Sequence, residues 1–135
     1  MKKFLIVTVI LILGAGIFGY LQWNKPHEDI SAAKSDITIS ANELLTAFQT
    51  GEEAANAKYN DKVVEVTGAV REVTQTEGVT IVRLDAGDSM DGVTCELDAD
   101  VKHKRTDFKT GDPVTFKCTC SGMNMDVVLN RCVEK

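Results

Sequence analysis

The stretch 62-KVVEVTGAV-70 sets Val64, Val66, Gly68 and Val70 in alternation with Glu65, Thr67 and Ala69. Side chains of a strand point to opposite faces in turn, so a period of two predicts a strand with one face buried, and the glycine inside it predicts a bulge. Downstream the character persists. Thr74 to Gly78 reads as a polar turn, Val79 to Leu84 as a second strand, Asp85 to Gly92 as a polar loop, and Val93 to Leu97 as a third strand with Val93, Cys95 and Leu97 on one face. Asp98 to Lys109 is charged and without β-branched runs, which predicts a short helix or turn ended by Gly111-Asp112-Pro113. Val114, Phe116, Cys118 and Cys120 then alternate with Thr115, Lys117 and Thr119 in a fourth strand, and Val127 to Val133 supplies a fifth.

The resulting order, β-β-β-α-β-β with a glycine inside a long first strand, is the plan of the OB-fold, a five-stranded Greek-key barrel. A barrel this small fills its interior with side chains, so the inward Val, Phe, Leu and Cys residues form its core. Upstream, Ser40-Ala41-Asn42-Glu43 has the spacing of a capping box, with Ile39 placed to staple onto Leu44. A helix therefore starts at Ser40, striped by Leu44, Leu45 and Phe48; Gly51 interrupts it, and Glu52 to Tyr59 reads as a second short helix. The fold class is all-β with added helices.

The amino terminus is of another kind. Lys2 and Lys3 precede an apolar run from Phe4 to Leu21, with Tyr20 and Trp23 where polar residues return. Eighteen residues at roughly 1.5 Å each span about 27 Å, close to the roughly 30 Å of bilayer hydrocarbon. Residues 1–25 thus read as a signal anchor that crosses the membrane once, 26–39 as a tether and 40–135 as the OB domain with its helices. The lysine asymmetry puts the amino terminus in the cytoplasm and the domain outside, in the periplasm or another extracytoplasmic space. A cleaved signal peptide with Gly14-Ala15-Gly16 as its small-residue site is the competing reading. Against it, Ile17, Phe18, Tyr20, Leu21 and Trp23 would begin the mature chain.

Beyond His27 lie all twenty acidic residues and twelve of the fifteen basic ones, a formal charge of −8 for the exported part. Binding driven by phosphate contacts needs accumulated Lys and Arg, so nucleic acid is a poor default partner. An OB-fold that stacks bases also needs exposed aromatics on its second and third strands, and Val79 to Leu97 contains no Phe, Tyr or Trp. The one concentrated basic run, Lys102-His103-Lys104-Arg105, reads as a solvated face.

The chain resembles the tRNA_anti-like OB-fold proteins, small exported or membrane-anchored proteins of bacteria. The resemblance lies in YLQWNKPHED after the anchor, in ANELLTAF followed by GEEAANAKYNDKVVEVTGAV, in DGVTCELD, and in KTGDPVTFKCTCSGMNMDVVLNRC. It spans most of residues 20 to 133, and AKYNDKVVEVTG and MDVVLNRC are its most specific parts. Cys118 stands where the family pattern has a small residue such as glycine. What the resemblance implies is the barrel and a place at a bacterial inner membrane; it names no ligand, since fold does not fix function.

Four cysteines in an exported domain permit two bridges. Cys118 and Cys120, two apart in one strand, are about 6.6 to 6.8 Å apart at Cα, the upper edge for a disulfide, so each looks across the sheet. The favoured pair is Cys120 with Cys132, on consecutive strands; Cys95 with Cys118 is the second pair the count allows, and four reduced core thiols are the alternative. No nucleophilic motif joins His27 or His103, and no phosphate loop or His-Glu-x-x-His occurs. No catalytic residue, cofactor or resident metal is therefore expected. Cys118, Cys120, Met123 and Met125 form the one soft-ligand set suited to copper, and Asp85, Asp88 and Asp91 an incomplete calcium-loop pattern. The expected function is that of a membrane-anchored binding module for an exported protein or oligomer. OB geometry places its contacts in the loops around Arg71, Thr74, Asp85, Asp88 and Asp91.

Overall fold

A computed structural model describes residues 1–24, 30–87 and 90–135. Its first element is helix α1 (Lys2–Trp23), long and apolar enough to cross a membrane and with none of its residues buried. Strand β1 (Ile37–Ser40), helices α2 (Ala41–Thr50) and α3 (Glu52–Tyr59), and strands β2 (Val63–Thr76), β3 (Val79–Asp85), β4 (Val93–Leu97), β5 (Pro113–Asn124) and β6 (Asp126–Glu134) follow. The last five strands close a barrel in the order β2-β3-β4-β6-β5, with β5 returning to β2. Closure depends on the length of β2. Its first half pairs antiparallel with β5, from Val63 opposite Thr119 to Ala69 opposite Pro113. Its second half pairs with β3, ending at Thr76 opposite Val79. The β4–β6 pairing is parallel, the two strands being joined by the long crossover that contains β5.

The inward residues are those the alternation predicts. Val64, Val66, Val82, Leu84, Val93, Phe116 and Leu129 are fully buried, and each such side chain contributes about 1.5 to 3 kcal/mol of hydrophobic stabilisation. One end of the barrel is plugged by α2, whose Ala41, Leu44, Leu45 and Phe48 are buried. The capping box fixes where α2 begins: Glu43 N–H donates to Ser40 Oγ at 3.2 Å and Ser40 N–H to Glu43 Oε2 at 3.2 Å. These bonds also hold the Glu43 carboxyl below its ordinary range, the backbone bond at Ser40 contributing most.

Four expectations change. Gly68 is not a bulge but lies in regular register opposite Val114. A Cβ there would meet Ala41 Cβ at 3.1 Å, so its hydrogen is what lets α2 seat on the barrel. The bulge falls between Val70 and Glu72, leaving Arg71 as the extra residue. Second, β2 continues through Thr74 to Thr76, and the reversal is a two-residue turn at Glu77 (φ 52°) and Gly78 (φ 82°), the left-handed pair that matches hairpin twist. Third, residues 26–39 are not free tether throughout. β1 adds to β2 in parallel, Ile37 opposite Val64, Ile30 is buried, and Lys117 Nζ donates to Ser31 O and Ala33 O at 3.2 and 2.9 Å.

The fourth is the helix that the β-β-β-α-β-β order places over Asp98 to Lys109, where of the two alternatives read from sequence, short helix or turn, the turn is found. Turns and irregular chain take its place, because between Val101 and Phe108 the positions three and four residues on are Lys104 and Arg105, which leaves no apolar helical stripe. Asp98, buried, caps a local turn by accepting from Asp100 N–H at 3.0 Å, and its carbonyl accepts from His103 Nε2 at 2.6 Å. Phe108 is the anchor of the segment: it meets Phe116 edge-on at 5.4 Å and carries the Arg105 guanidinium over its ring at 4.7 Å.

Candidate functional site

The residues expected to form a binding face separate into strand and loop positions. Arg71 and Thr74 are not in a loop: both stand exposed on β2, Arg71 at the bulge with its carbonyl accepting from Thr110 Oγ1 at 3.2 Å, Thr74 opposite Ile81. Asp85 and Asp91 do flank the β3–β4 loop, while Asp88 and His27 lie outside the described residues. The two acids have structural duties. Asp85 Oδ1 accepts from Gly87 N–H at 3.2 Å, and Asp91 Oδ2 from Gln49 Nε2 at 3.1 Å, which ties the loop to α2.

A residue outside the expected set organises this loop. Asp126, at the start of β6, accepts from Arg83 Nη2 at 3.0 Å, Gly92 N–H at 2.9 Å and Thr94 Oγ1 at 3.0 Å, while Arg83 Nη2 also reaches Met90 O at 2.7 Å. One carboxylate thereby joins β3, β4, β6 and the loop. A mid-loop carbonyl cannot be foreseen from sequence as an arginine's partner. The outer face beside it, with Ile81, Arg83, Thr94 and Glu96, is mixed and without aromatics.

The cysteines pair differently from expectation. Cys118 is bonded to Cys132, with Cα atoms 4.2 Å apart, and Cys120 is a free buried thiol, so neither Cys120–Cys132 nor Cys95–Cys118 forms. Register explains the change. Lys117 lies opposite Val133, which sets Cys118 opposite Cys132; a bulge then shifts the ladder, with Arg131 at φ 55°, and puts Cys120 opposite Leu129. Cys95, also free and buried, joins the bridge from β4, the three sulfurs lying within 4.8 Å of one another. Burial pushes the Cys95 and Cys120 thiols upward, away from the thiolate form, against a backbone hydrogen bond at Gly122 in the case of Cys120. The soft-ligand set of Cys118, Cys120, Met123 and Met125 is not assembled, since Cys118 is in the bridge and Met125 is exposed.

Two concavities were invisible in the sequence. An open groove of about 650 Å³ lies between α2 and α3, with Ala47, Ala54, Ala55 and Tyr59 along it and Glu43 and Lys58 beside them. Only the small residues on both helices hint at it. A second, polar cleft of about 350 Å³ gathers Ser31, Lys102, His103, Lys104, Glu134 and Lys135. Here the basic run has acquired neighbours from the stalk and from β6.

The family model described as tRNA_anti-like matches residues 1–134. The chain belongs to the tRNA_anti-like family. Among solved structures, this tRNA_anti-like protein is similar to one from Klebsiella pneumoniae subsp. pneumoniae titled a "putative nucleic acid-binding lipoprotein". The TM-score is 0.60 at 16% identity, over 82% of this chain and 99% of that one, a likeness of fold alone. No curated protein matches the chain. The tRNA_anti-like barrel thus has a known architecture, and its site has to be argued from its own residues.

Proposed function

We propose that this protein is a single-pass, membrane-anchored binding module that holds its OB barrel on the extracytoplasmic side of a bacterial inner membrane and contacts an exported protein or oligomer, without catalysis of its own. The observation that carries this reading is the contrast between α1, whose residues are all unburied, and a closed barrel whose interior is filled by its own side chains. An apolar helix that finds no core in its own chain is suited to lipid. The lysines at 2 and 3 support an amino terminus inside. The binding face is the outer surface of β2–β4 with the described part of the adjoining loop, because Gly92, held by Asp126, and Met90, held by Arg83, are positioned before a partner arrives and lose less entropy on binding.

A photo-reactive residue placed at Thr74 of the full chain in intact cells tests this face, with one at Glu53 on α3 as the control. Adducts of defined mass from Thr74 and not from Glu53 are expected; equal labelling from both positions, or none, refutes the assignment. Protease added to spheroplasts tests the orientation, and a barrel left intact beside a cleaved periplasmic control overturns it.

Nucleic acid is the second reading, favoured by the description of the Klebsiella protein. The −8 charge of the exported part and the lack of aromatics over Val79–Leu97 weigh against it here. A salt-dependent shift of labelled oligonucleotide by the purified chain would replace the first reading with the second.

A further inference from the structure

The polar cleft beside the stalk has a position as well as a composition. From Ile30 onward the stalk is fixed to the barrel, through the burial of Ile30, the two bonds from Lys117 to Ser31 and Ala33, and the bond from Asp36 N–H to Val63 O at 2.9 Å. Only six peptide steps separate Ile30 from Asn24 at the end of α1. At no more than about 3.6 Å each they reach at most about 22 Å. Ser31, the next residue along, lines the cleft. If α1 is in the bilayer, the cleft is on the part of the barrel that the chain holds nearest to it.

Its charge is the reverse of the domain's. The acids around the cleft have partners: Glu134 takes Arg105 through Nε and Nη2 at 2.9 to 3.2 Å, Glu65 takes Lys135 Nζ at 2.9 Å, and Asp98 faces Arg131 at 3.5 Å. Lys102 and Lys104, both exposed, have no ion-pair partner among the described residues. The screening length at physiological ionic strength is about 8 Å, so a surface touching these lysines feels them and little of the acidic remainder. Glu28 and Asp29 on the intervening stretch oppose such contact and Lys25 assists it, which leaves the cleft lysines to decide.

We infer that the cleft of Lys102, Lys104 and Lys135 rests on the anionic headgroups of the bilayer that holds α1, so that the barrel is docked on the membrane surface with its β2–β4 face left for the partner. The inference rests on the anchored reading above. Lysine ammonium groups suit a lipid phosphate surface as point charges that need no fixed geometry.

The test uses the full chain in nanodiscs of phosphatidylcholine alone, or of phosphatidylcholine and phosphatidylglycerol in equal parts, with amine-reactive labelling read by mass spectrometry. Expected is a several-fold fall in labelling of Lys102, Lys104 and Lys135 in the anionic discs relative to Lys58 and Lys109. That protection should vanish near 1 M salt, where the screening length is about 3 Å, and Lys135 should lose it in the Lys102→Gln/Lys104→Gln variant. Equal labelling in the two disc types, with the protein still co-eluting with the discs, overturns the docking and leaves the anchor standing. Failure to co-elute with either disc overturns the anchor itself and the docking with it.

Discussion

Breaking the bridge should separate the register seen here from the pairing that the strand order alone suggests. Cys118 and Cys132 are 14 residues apart, and closing a loop of that length in the unfolded chain corresponds to about 3 kcal/mol at 25 °C. For a domain of about a hundred residues that is on the order of 12 °C in Tm. A Cys120–Cys132 bridge would enclose nearly the same loop, so the total stability cannot tell the two apart, but single variants can. Cys120→Ala should keep the full loss of stability on reduction and change the oxidised protein by about 1 kcal/mol of packing. Cys118→Ala should abolish the sensitivity to reductant. Because Cys95 lies within 4.8 Å of both bridge sulfurs, Cys118→Ala is made together with Cys95→Ala to prevent a substitute bridge. Urea unfolding with and without reductant, with thiol counts in denaturant, gives the answer. If Cys120→Ala removes the reductant sensitivity and the Cys95→Ala/Cys118→Ala variant keeps it, the argument from the register that sets Lys117 opposite Val133 is wrong.

Three other outcomes follow from named contacts. Gly68→Ala should cost about 1 to 3 kcal/mol in chemical denaturation because its methyl meets Ala41 at 3.1 Å, and adding Ala41→Gly should recover part of the loss; additive effects would rule the contact out. Asp126→Ala should cost about 1 to 3 kcal/mol and raise hydrogen exchange at Gly92, since three donors lose their acceptor; an unchanged Gly92 amide would dismiss its role as the loop's brace. The Glu65 carboxyl is held below its ordinary value of 4.5, chiefly by the hydrogen bond from Lys135 and against the cost of burial. A depressed carboxylate stabilises the fold above its unfolded pKa and loses that contribution as pH falls through the folded one. Thermal melts below about pH 4.5 should therefore fall less steeply for Glu65→Gln than for the natural chain, and parallel curves would refute the pair's contribution.

The barrel was legible because each of its strands repeats one local rule. Val64, Val66, Phe116 and Cys118 had to share an interior whatever their partners, and the capping box at Ser40 is a contact between residues three apart. What the sequence could not convey depends on pairs far apart in the chain. The register of β5 against β6, with Lys117 opposite Val133, decides that Cys118 and not Cys120 faces Cys132, and a shift by two residues, which would bring Cys120 there, keeps every side chain on its own face and so leaves no trace in hydrophobic alternation. Gly68 carries the same lesson: its pattern reads as a bulge, whereas its reason is Ala41, 27 positions earlier. The segment after Asp98 lacked a helical stripe, and its charge and want of β-branched runs, which suit a turn as well as a helix, could not choose between the two. The candidate face was legible only in its neighbourhood, since Asp126 sits apart in sequence from the loop it braces.

The fixed stalk changes what an anchored barrel can do. A free tether over 26–39 would let the domain sweep a wide shell and turn either end to a partner, whereas a chain bound to the barrel from Ile30 confines it to within about 22 Å of the end of α1. In the proposed arrangement, confinement raises the local concentration of the barrel for anything at the membrane surface and lowers it for anything beyond, the usual consequence of a short linker. It also orients. The strand that Lys117 ties to the stalk is β5, which is not adjacent to β3 or β4 in the order β2-β3-β4-β6-β5. Replacing Lys117 by Met removes both bonds to Ser31 and Ala33 while keeping a long apolar stem for packing. Spin labels at Ser31 and Glu53 of that variant should then show a broader distance distribution than in the parent chain, at an unchanged melting temperature within about 1 kcal/mol of stability. A distribution as narrow as the parent's would mean that β1 and Ile30 hold the stalk unaided, and that Lys117 has no part in setting the barrel's orientation.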